Sequence, residues 1–97
     1  MDLQILESKI GYVFKNKELL KTALTHTSYA YENKVQSYER LEYLGDSILE
    51  FISSQHLFEN YTNLTEGEMT KVRASAVCEK SLYKIALEHS FSDFLFL

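Results

Sequence analysis

The chain has 97 residues, of which 45% are hydrophobic and 13% aromatic, enough for the core of one domain or part of one. It has no run of about 18 apolar residues and no basic-then-apolar N-terminus, which argues against a membrane helix and a signal peptide. The formal net charge of −4 argues against a protein that binds nucleic acid unaided, because phosphate binding needs clustered Lys and Arg.

The first third of the chain predicts short helices. Proline is absent and glycine occurs only three times, which is typical of an all-α chain with few tight turns. An apolar repeat from Leu3 to Val13 has helical spacing and predicts a first helix. Asn16 is a suitable N-cap for a second helix over residues 17–25. Residues 26–37 show no periodicity, and we predict a loop there.

The remainder predicts three longer helices. An apolar pattern predicts a long helix over residues 38–60. Thr65 and Glu68 match a capping box, in which the threonine caps the helix and the glutamate occupies its third position. The helix that this box opens is predicted to reach about Val77, and another is predicted to begin near Glu79.

The C-terminal segment, residues 91–97, is strongly apolar, whereas a chain end is normally polar and frayed. We therefore expect Phe94 and Phe96 to be exposed and to promote self-association, as if the chain were cut where this segment should meet another element. Cys78 is the single cysteine and cannot form an internal disulfide, which suits a reducing cytoplasm. Its expected role is that of a small core residue.

Three carboxylates, Glu39, Glu42 and Asp46, lie inside the apolar helix over residues 38–60. Spacings of three and four place them on one face, where like charges cost about 0.2–0.5 kcal/mol per pair. A helix apolar over most of its circumference is expected to be buried, and buried charges are usually paired or bind a metal. Carboxylate oxygens suit Mg²⁺ or Mn²⁺. Gly45 predicts the close approach of another backbone.

The segment Glu-Arg-Leu-Glu-Tyr-Leu-Gly-Asp-Ser, residues 39–47, resembles the signature motif of the ribonuclease III family, nucleases that cut double-stranded RNA. The similarity extends upstream through Thr25-His26-Thr27-Ser28 and downstream through residues 64–75, in order and without large insertions. The resemblance implies that residues 1–97 are the N-terminal portion of an all-α, cytoplasmic ribonuclease III nuclease domain, with no double-stranded-RNA-binding domain in this chain.

The resemblance also implies the chemistry. A divalent ion, normally Mg²⁺ with Mn²⁺ as a substitute, is held by carboxylates beside the scissile phosphodiester of an RNA duplex. By position in the motif, Glu42 and Asp46 are implied to be catalytic residues and metal ligands, with Asp46 as the catalytic carboxylate. Glu39 is implied to be a supporting acidic residue. The implied homodimer brings two signature helices together across a two-fold axis. Its expected interface residues are Tyr43, Leu44, Gly45 and Ile48.

The chain departs from the family's pattern in one respect that affects its expected activity. The family places a second Asp and Glu, about three residues apart, on a later helix, and no counterpart is present here. We therefore expect the chain alone to be inactive and the parent protein to be the endonuclease that processes rRNA, mRNA and other RNA. Two alternatives remain open: a catalytically dead domain used for dimerisation or ribosome assembly, and an unrelated helical interaction module with a solvated acidic face.

Other candidate residues have simpler explanations. His26 is predicted to cap a helix or to form a core hydrogen bond, although it could act as a general base or a metal ligand. Lys71 follows Glu68 at i, i+3, which predicts a surface ion pair. Arg73 has no acid one turn before it, so it is predicted to be solvated. A phosphate contact is the functional alternative for both basic residues.

Overall fold

The computed structural model describes residues 2–96, and the helices in this range confirm the predicted all-α fold. Between residues 2 and 96 no β-strand forms, and Thr25 and Phe96 make an isolated parallel bridge. None of the helices described is both long and apolar enough to cross a membrane. The elements in chain order are α1 Leu3–Ile10, α2 Lys17–Ala23, α3 Thr27–Asn33, α4 Glu39–Asn60, α5 Glu66–Ala76, α6 Glu79–Glu88 and a 3₁₀ helix, Phe91–Phe94.

Side-chain caps fix where helices begin, as the sequence predicts. Asn16 Oδ1 accepts the Glu18 N–H at 3.0 Å at the start of α2. The predicted capping box opens α5: Thr65 Oγ1 accepts the Glu68 N–H at 3.2 Å, and Glu68 Oε1 accepts the Thr65 N–H at 3.0 Å. The Thr65 N–H, followed by the Thr65 hydroxyl, lowers the pKa of Glu68. Helix α1 is shorter than its apolar repeat predicts because Gly11, with a φ of 72°, ends it in a left-handed turn.

The C-terminal segment is part of the core, so the prediction that Phe94 and Phe96 are exposed is wrong. Only 7% of Phe94 is exposed, and Phe96 is half-buried against the same core. The Phe96 N–H donates to the Leu24 carbonyl at 2.9 Å, and the Phe96 carbonyl accepts the His26 N–H at 2.9 Å. The segment therefore pairs its backbone groups like a short strand. The buried residues of this core are Leu6, Leu20, Leu24 and Phe94.

The predicted loop over residues 26–37 is wrong over residues 27–33, where α3 forms. His26 occupies the N-cap, and its Nδ1 accepts the Ser28 N–H at 3.2 Å, which confirms the capping role predicted for this residue. Lys34, with a φ of 54°, ends the helix in a left-handed conformation. Seven residues make only about two helical turns. Such a helix is too short to show an apolar repeat, and its histidine cap lies outside the preferred set.

The prediction that α4 is a buried helix is also wrong for the chain described here. Within residues 2–96, Leu57 is the only buried residue of α4. Helix α4 packs mainly against α5. Beyond its own helix, a Cβ added at Gly45 would meet no atom of residues 2–96 within 4 Å, so no other backbone in this range approaches it. Helix α4 does carry the apolar side chains that the pattern predicts, but residues 2–96 do not bury most of them. The exposed large apolar residues on α4 are Tyr43, Leu44, Ile48, Phe51, Ile52 and Phe58.

A buried carboxylate connects α1 to the start of α2. Glu7 is 4% exposed, and its Oε2 accepts the Phe14 N–H at 2.6 Å and a hydrogen bond from the Lys17 ammonium. The bond from Lys17, and then that from the Phe14 N–H, lowers the pKa of Glu7. The pairing explains how a charged group is tolerated at this position.

Cys78 is exposed, so its predicted role as a core residue is wrong. It is the N-cap of α6, a position at the start of a helix where the chain is still extended. Its thiol lies 3.3 Å from the Ser81 hydroxyl, and hydrogen bonding to Ser81 lowers the pKa of the thiol.

Candidate active site

A groove of about 910 Å³ lies between α4 and α6 and contains the central acidic residues of the signature segment. Glu42 and Asp46 both line it from α4, one helical turn apart. Both side chains belong to exposed residues, so their carboxylates can be reached by ions and substrate. The other lining residues are Tyr38, Leu49, Glu50, Val77, Glu79, Leu82, Tyr83 and Ala86.

The third predicted acid lies elsewhere. Glu39 lines a second groove, of about 650 Å³, on the side of α4 that faces α2. Tyr43 and Leu44 line the same groove, so Glu39 is grouped with the expected dimer residues rather than with Glu42 and Asp46. The structure therefore brings two of the three signature carboxylates into one groove.

Local backbone contacts explain how α4 presents the two central acids. The Glu42 N–H donates to the Tyr38 carbonyl at 2.8 Å, and the Tyr38 N–H donates to the Thr25 carbonyl at 3.0 Å. Thr25 is itself held by the bridge to Phe96. The start of α4, which carries Glu42, is thus tied to the core beside the C-terminal segment.

The electrostatics of the groove favour a cation. Within residues 2–96 the ion pairs are Lys17–Glu7 and Lys21–Glu18, so neither Glu42 nor Asp46 is paired there. Among the same residues no three His, Cys, Asp or Glu side chains come together as a ready metal site. Glu42 and Asp46 are therefore a partial donor set of two hard oxygen ligands.

Sequence reasoning missed two acids of this groove. Glu50 follows Asp46 by four residues, the same spacing that separates Asp46 from Glu42, so helical periodicity could have found it. Glu79 lies at the start of α6, and its approach to the groove depends on how α6 packs, for which the sequence carries no local signal. Four carboxylates distributed along one groove raise the local concentration of cations.

The residues expected at a dimer interface form an exposed apolar surface on α4. Tyr43 is 80% exposed, Leu44 55% and Ile48 50%, and Gly45 has open space where a side chain would begin. This surface, Tyr43, Leu44, Gly45 and Ile48, is called the α4 apolar face below. Neighbouring exposed apolar side chains of this kind are typical of interaction surfaces.

The basic residues of α5 differ from expectation. Glu68 turns back to cap Thr65, and within residues 2–96 it makes no ion pair with Lys71. Arg73 is not simply solvated: its Nη1 donates to the Ser54 hydroxyl on α4 at 2.8 Å. Both predictions failed because each side chain had a better partner, one along its own helix and one across the helix interface.

Residues 2–96 thus form an all-α domain whose longest helix, α4, presents two carboxylates, those of Glu42 and Asp46, to an open groove. Residues 16–97 match the protein-family model described as Ribonuclease-III-like, and the chain belongs to this family. The matched range includes residues 39–47, the segment that resembles the ribonuclease III signature motif.

Relatives support the same assignment. Ribonuclease 3 of Oceanobacillus iheyensis is 49% identical over 98% of this chain and 43% of its own length. Ribonuclease 3 of Clostridium acetobutylicum is 54% identical over 86% of this chain and 36% of its own length. The chain thus spans about two fifths of the length of these curated relatives.

A solved structure shows the same fold. The nuclease domain of ribonuclease III from Campylobacter jejuni, described for flexibility in a region involved in dimer formation, superposes with a TM-score of 0.91. It is 40% identical, and the match covers 99% of this chain and 65% of that one. The helices of residues 2–96 therefore have the arrangement of a ribonuclease III nuclease domain.

Proposed function

We propose that residues 1–97 are the N-terminal portion of the nuclease domain of an endoribonuclease that cleaves double-stranded RNA. The observation that carries the proposal is the placement of Glu42 and Asp46 in one open groove of a chain that belongs to the Ribonuclease-III-like family. The relatives named Ribonuclease 3 support this activity, and processing of rRNA and other RNA in the cytoplasm is the role we propose for the parent protein.

Glu42 and Asp46 fit a Mg²⁺ ion as a partial ligand set. Mg²⁺ takes one or two carboxylates and keeps several waters, and these two residues offer exposed oxygen donors on one helix face. When bound, such an ion activates a water and stabilises the leaving oxygen of the phosphodiester. In this chain Glu42 would hold the ion, and Asp46 would hold it and orient the attacking water. Mn²⁺ suits the same oxygen donors.

The α4 apolar face supports a homodimer. Its side chains are exposed, and the glycine at its centre would let a second α4 approach closely across a two-fold axis. Glu39 lies in the groove beside this face, where it would support the interface or contact RNA. The dimer would place two acidic grooves on one assembly, as cleavage of both strands of a duplex requires.

The test is cleavage of a labelled RNA duplex by the product of the complete gene. Asp46→Asn and Glu42→Gln keep the size of each side chain and remove its charge. Loss of one electrostatic stabiliser typically lowers the rate by about 10²–10³-fold, and we expect at least this effect. RNA affinity measured without divalent metal should change little. Glu88→Gln, on exposed α6 surface outside the groove, is the matched control. Wild-type cleavage by Asp46→Asn would overturn the assignment.

A further inference from the structure

The groove between α4 and α6 has many hydrogen-bond acceptors and few donors. Its four carboxylates can only accept hydrogen bonds when ionised, and a phosphodiester can likewise only accept them. The remaining lining residues are apolar except for two tyrosines, Tyr38 and Tyr83. A phosphate that enters this groove can therefore find side-chain donors among the lining residues only at two phenol hydroxyls.

Tyr38 is the better placed of the two. It precedes Glu42 by four residues and therefore shares its side of the helix. Its backbone is fixed on both sides by the bonds to Thr25 and Glu42. Its ring packs edge-on against His26, with centroids 6.0 Å apart and an interplanar angle of 81°. Tyr83, by contrast, is 64% exposed on α6.

A phenol is a suitable donor beside ligand carboxylates. A lysine or arginine there would form an ion pair with Glu42 or Asp46 and would compete with a metal for their oxygens. A tyrosine hydroxyl carries no positive charge and still donates a hydrogen bond. It can therefore hold a phosphate without neutralising the carboxylates.

We propose that the Tyr38 hydroxyl donates a hydrogen bond to a non-bridging oxygen of the RNA phosphate held beside Glu42 and Asp46. The inference rests on the proposed function, because it assigns a substrate contact within the same groove. Tyr38 orients the phosphate, while His26 and the Thr25 carbonyl hold Tyr38 in place.

The experiment compares Tyr38→Phe with wild type in the product of the complete gene, in single-turnover cleavage of an RNA duplex with Mg²⁺. Phenylalanine keeps the ring and its contact with His26, so the melting temperature should not change. Loss of a hydrogen bond to a charged acceptor should lower the cleavage rate by about 10- to 100-fold. Tyr31→Phe, 88% exposed on α3, is the matched control and should cleave normally.

A phosphorothioate at the scissile position separates contact from a merely structural role. Sulfur is a weaker acceptor than oxygen, so in wild type one diastereomer should lose the Tyr38 hydrogen bond. The additional slowing by this diastereomer should be several-fold smaller in Tyr38→Phe, where no hydroxyl remains. Equal thio effects in the two proteins, or wild-type cleavage by Tyr38→Phe, would overturn the inference. If Asp46→Asn also cleaved normally, the proposed function itself would fail.

Discussion

Replacing Phe94 with alanine tests whether the C-terminal segment belongs to the core. Phe94 lies in the 3₁₀ helix and packs with Leu6, Leu20 and Leu24. Its removal should leave a cavity among these side chains and loosen the segment that carries Phe96. If the sequence-based expectation of an exposed segment were correct, the same substitution would have little effect on stability.

The expected loss in free energy of unfolding follows from how deeply Phe94 is buried. A phenylalanine buries roughly 150–250 Å² when fully enclosed, and Phe94 is only 7% exposed. At about 25 cal/mol per Å² this area corresponds to roughly 4–6 kcal/mol. Compact unfolded chains already bury part of it, which lowers the figure to roughly 2–5 kcal/mol. Phenylalanine-to-alanine changes in cores cost about 3–5 kcal/mol. The melting temperature should fall by at least about 12 °C in a domain of this size.

Thermal and denaturant unfolding of this chain, followed by far-ultraviolet circular dichroism, measures the change. Phe58→Ala is the matched control, because Phe58 is 74% exposed on α4. Its free energy of unfolding should change by less than about 1 kcal/mol. Low protein concentration removes any contribution from self-association. Equal destabilisation by the two substitutions would refute the assignment of Phe94 to the core.

Three further predictions follow from the same structure. Pairing with Lys17 lowers the pKa of Glu7 from the ordinary value of 4.5. The contribution of the Glu7 carboxylate to stability should therefore be present above pH 4.5 and should be lost as the pH falls through the lowered pKa. Glu7→Gln should remove this pH dependence in acid unfolding curves. Gly45→Leu should weaken self-association by at least about tenfold in sedimentation, because it blocks close approach of a second α4. Residues 1–97 alone should not cleave an RNA duplex at any Mg²⁺ concentration, because Glu42 and Asp46 are only a partial ligand set and do not position the ion firmly; metal-dependent products would contradict this.

Local chemistry explains which parts of the fold could be predicted. Asn16 and the Thr65–Glu68 capping box act within one helical turn, so the sequence contains everything needed to find them. The pairing of Phe96 with Leu24 joins residues 72 positions apart, and no local pattern encodes it. Helix α3 was not predicted for a different reason, because seven residues are too few to show a helical period.

The same distinction applies to the candidate site. Glu42 and Asp46 share a helix, so their spacing alone predicted that they lie together. Tyr38 belongs to the same face and could have been included, but a tyrosine next to a polar segment gives no sign of its role. Glu79 reaches the groove from a second helix, and its contribution depends on tertiary packing.

Helix α4 is exposed although its apolar pattern is typical of a buried helix, and the different surfaces of the helix explain this. One part of its circumference packs on α5, where Ser54 accepts the bond from Arg73. A second part lines the acidic groove with Glu42 and Asp46. A third part is the α4 apolar face, which stands open. In the proposed function α4 also meets a substrate and a second copy of the chain, which leaves little surface for ordinary polar residues. On this proposal the apolar pattern reflects the number of surfaces that α4 serves, and the carboxylates within it are the exception because their groove stays accessible.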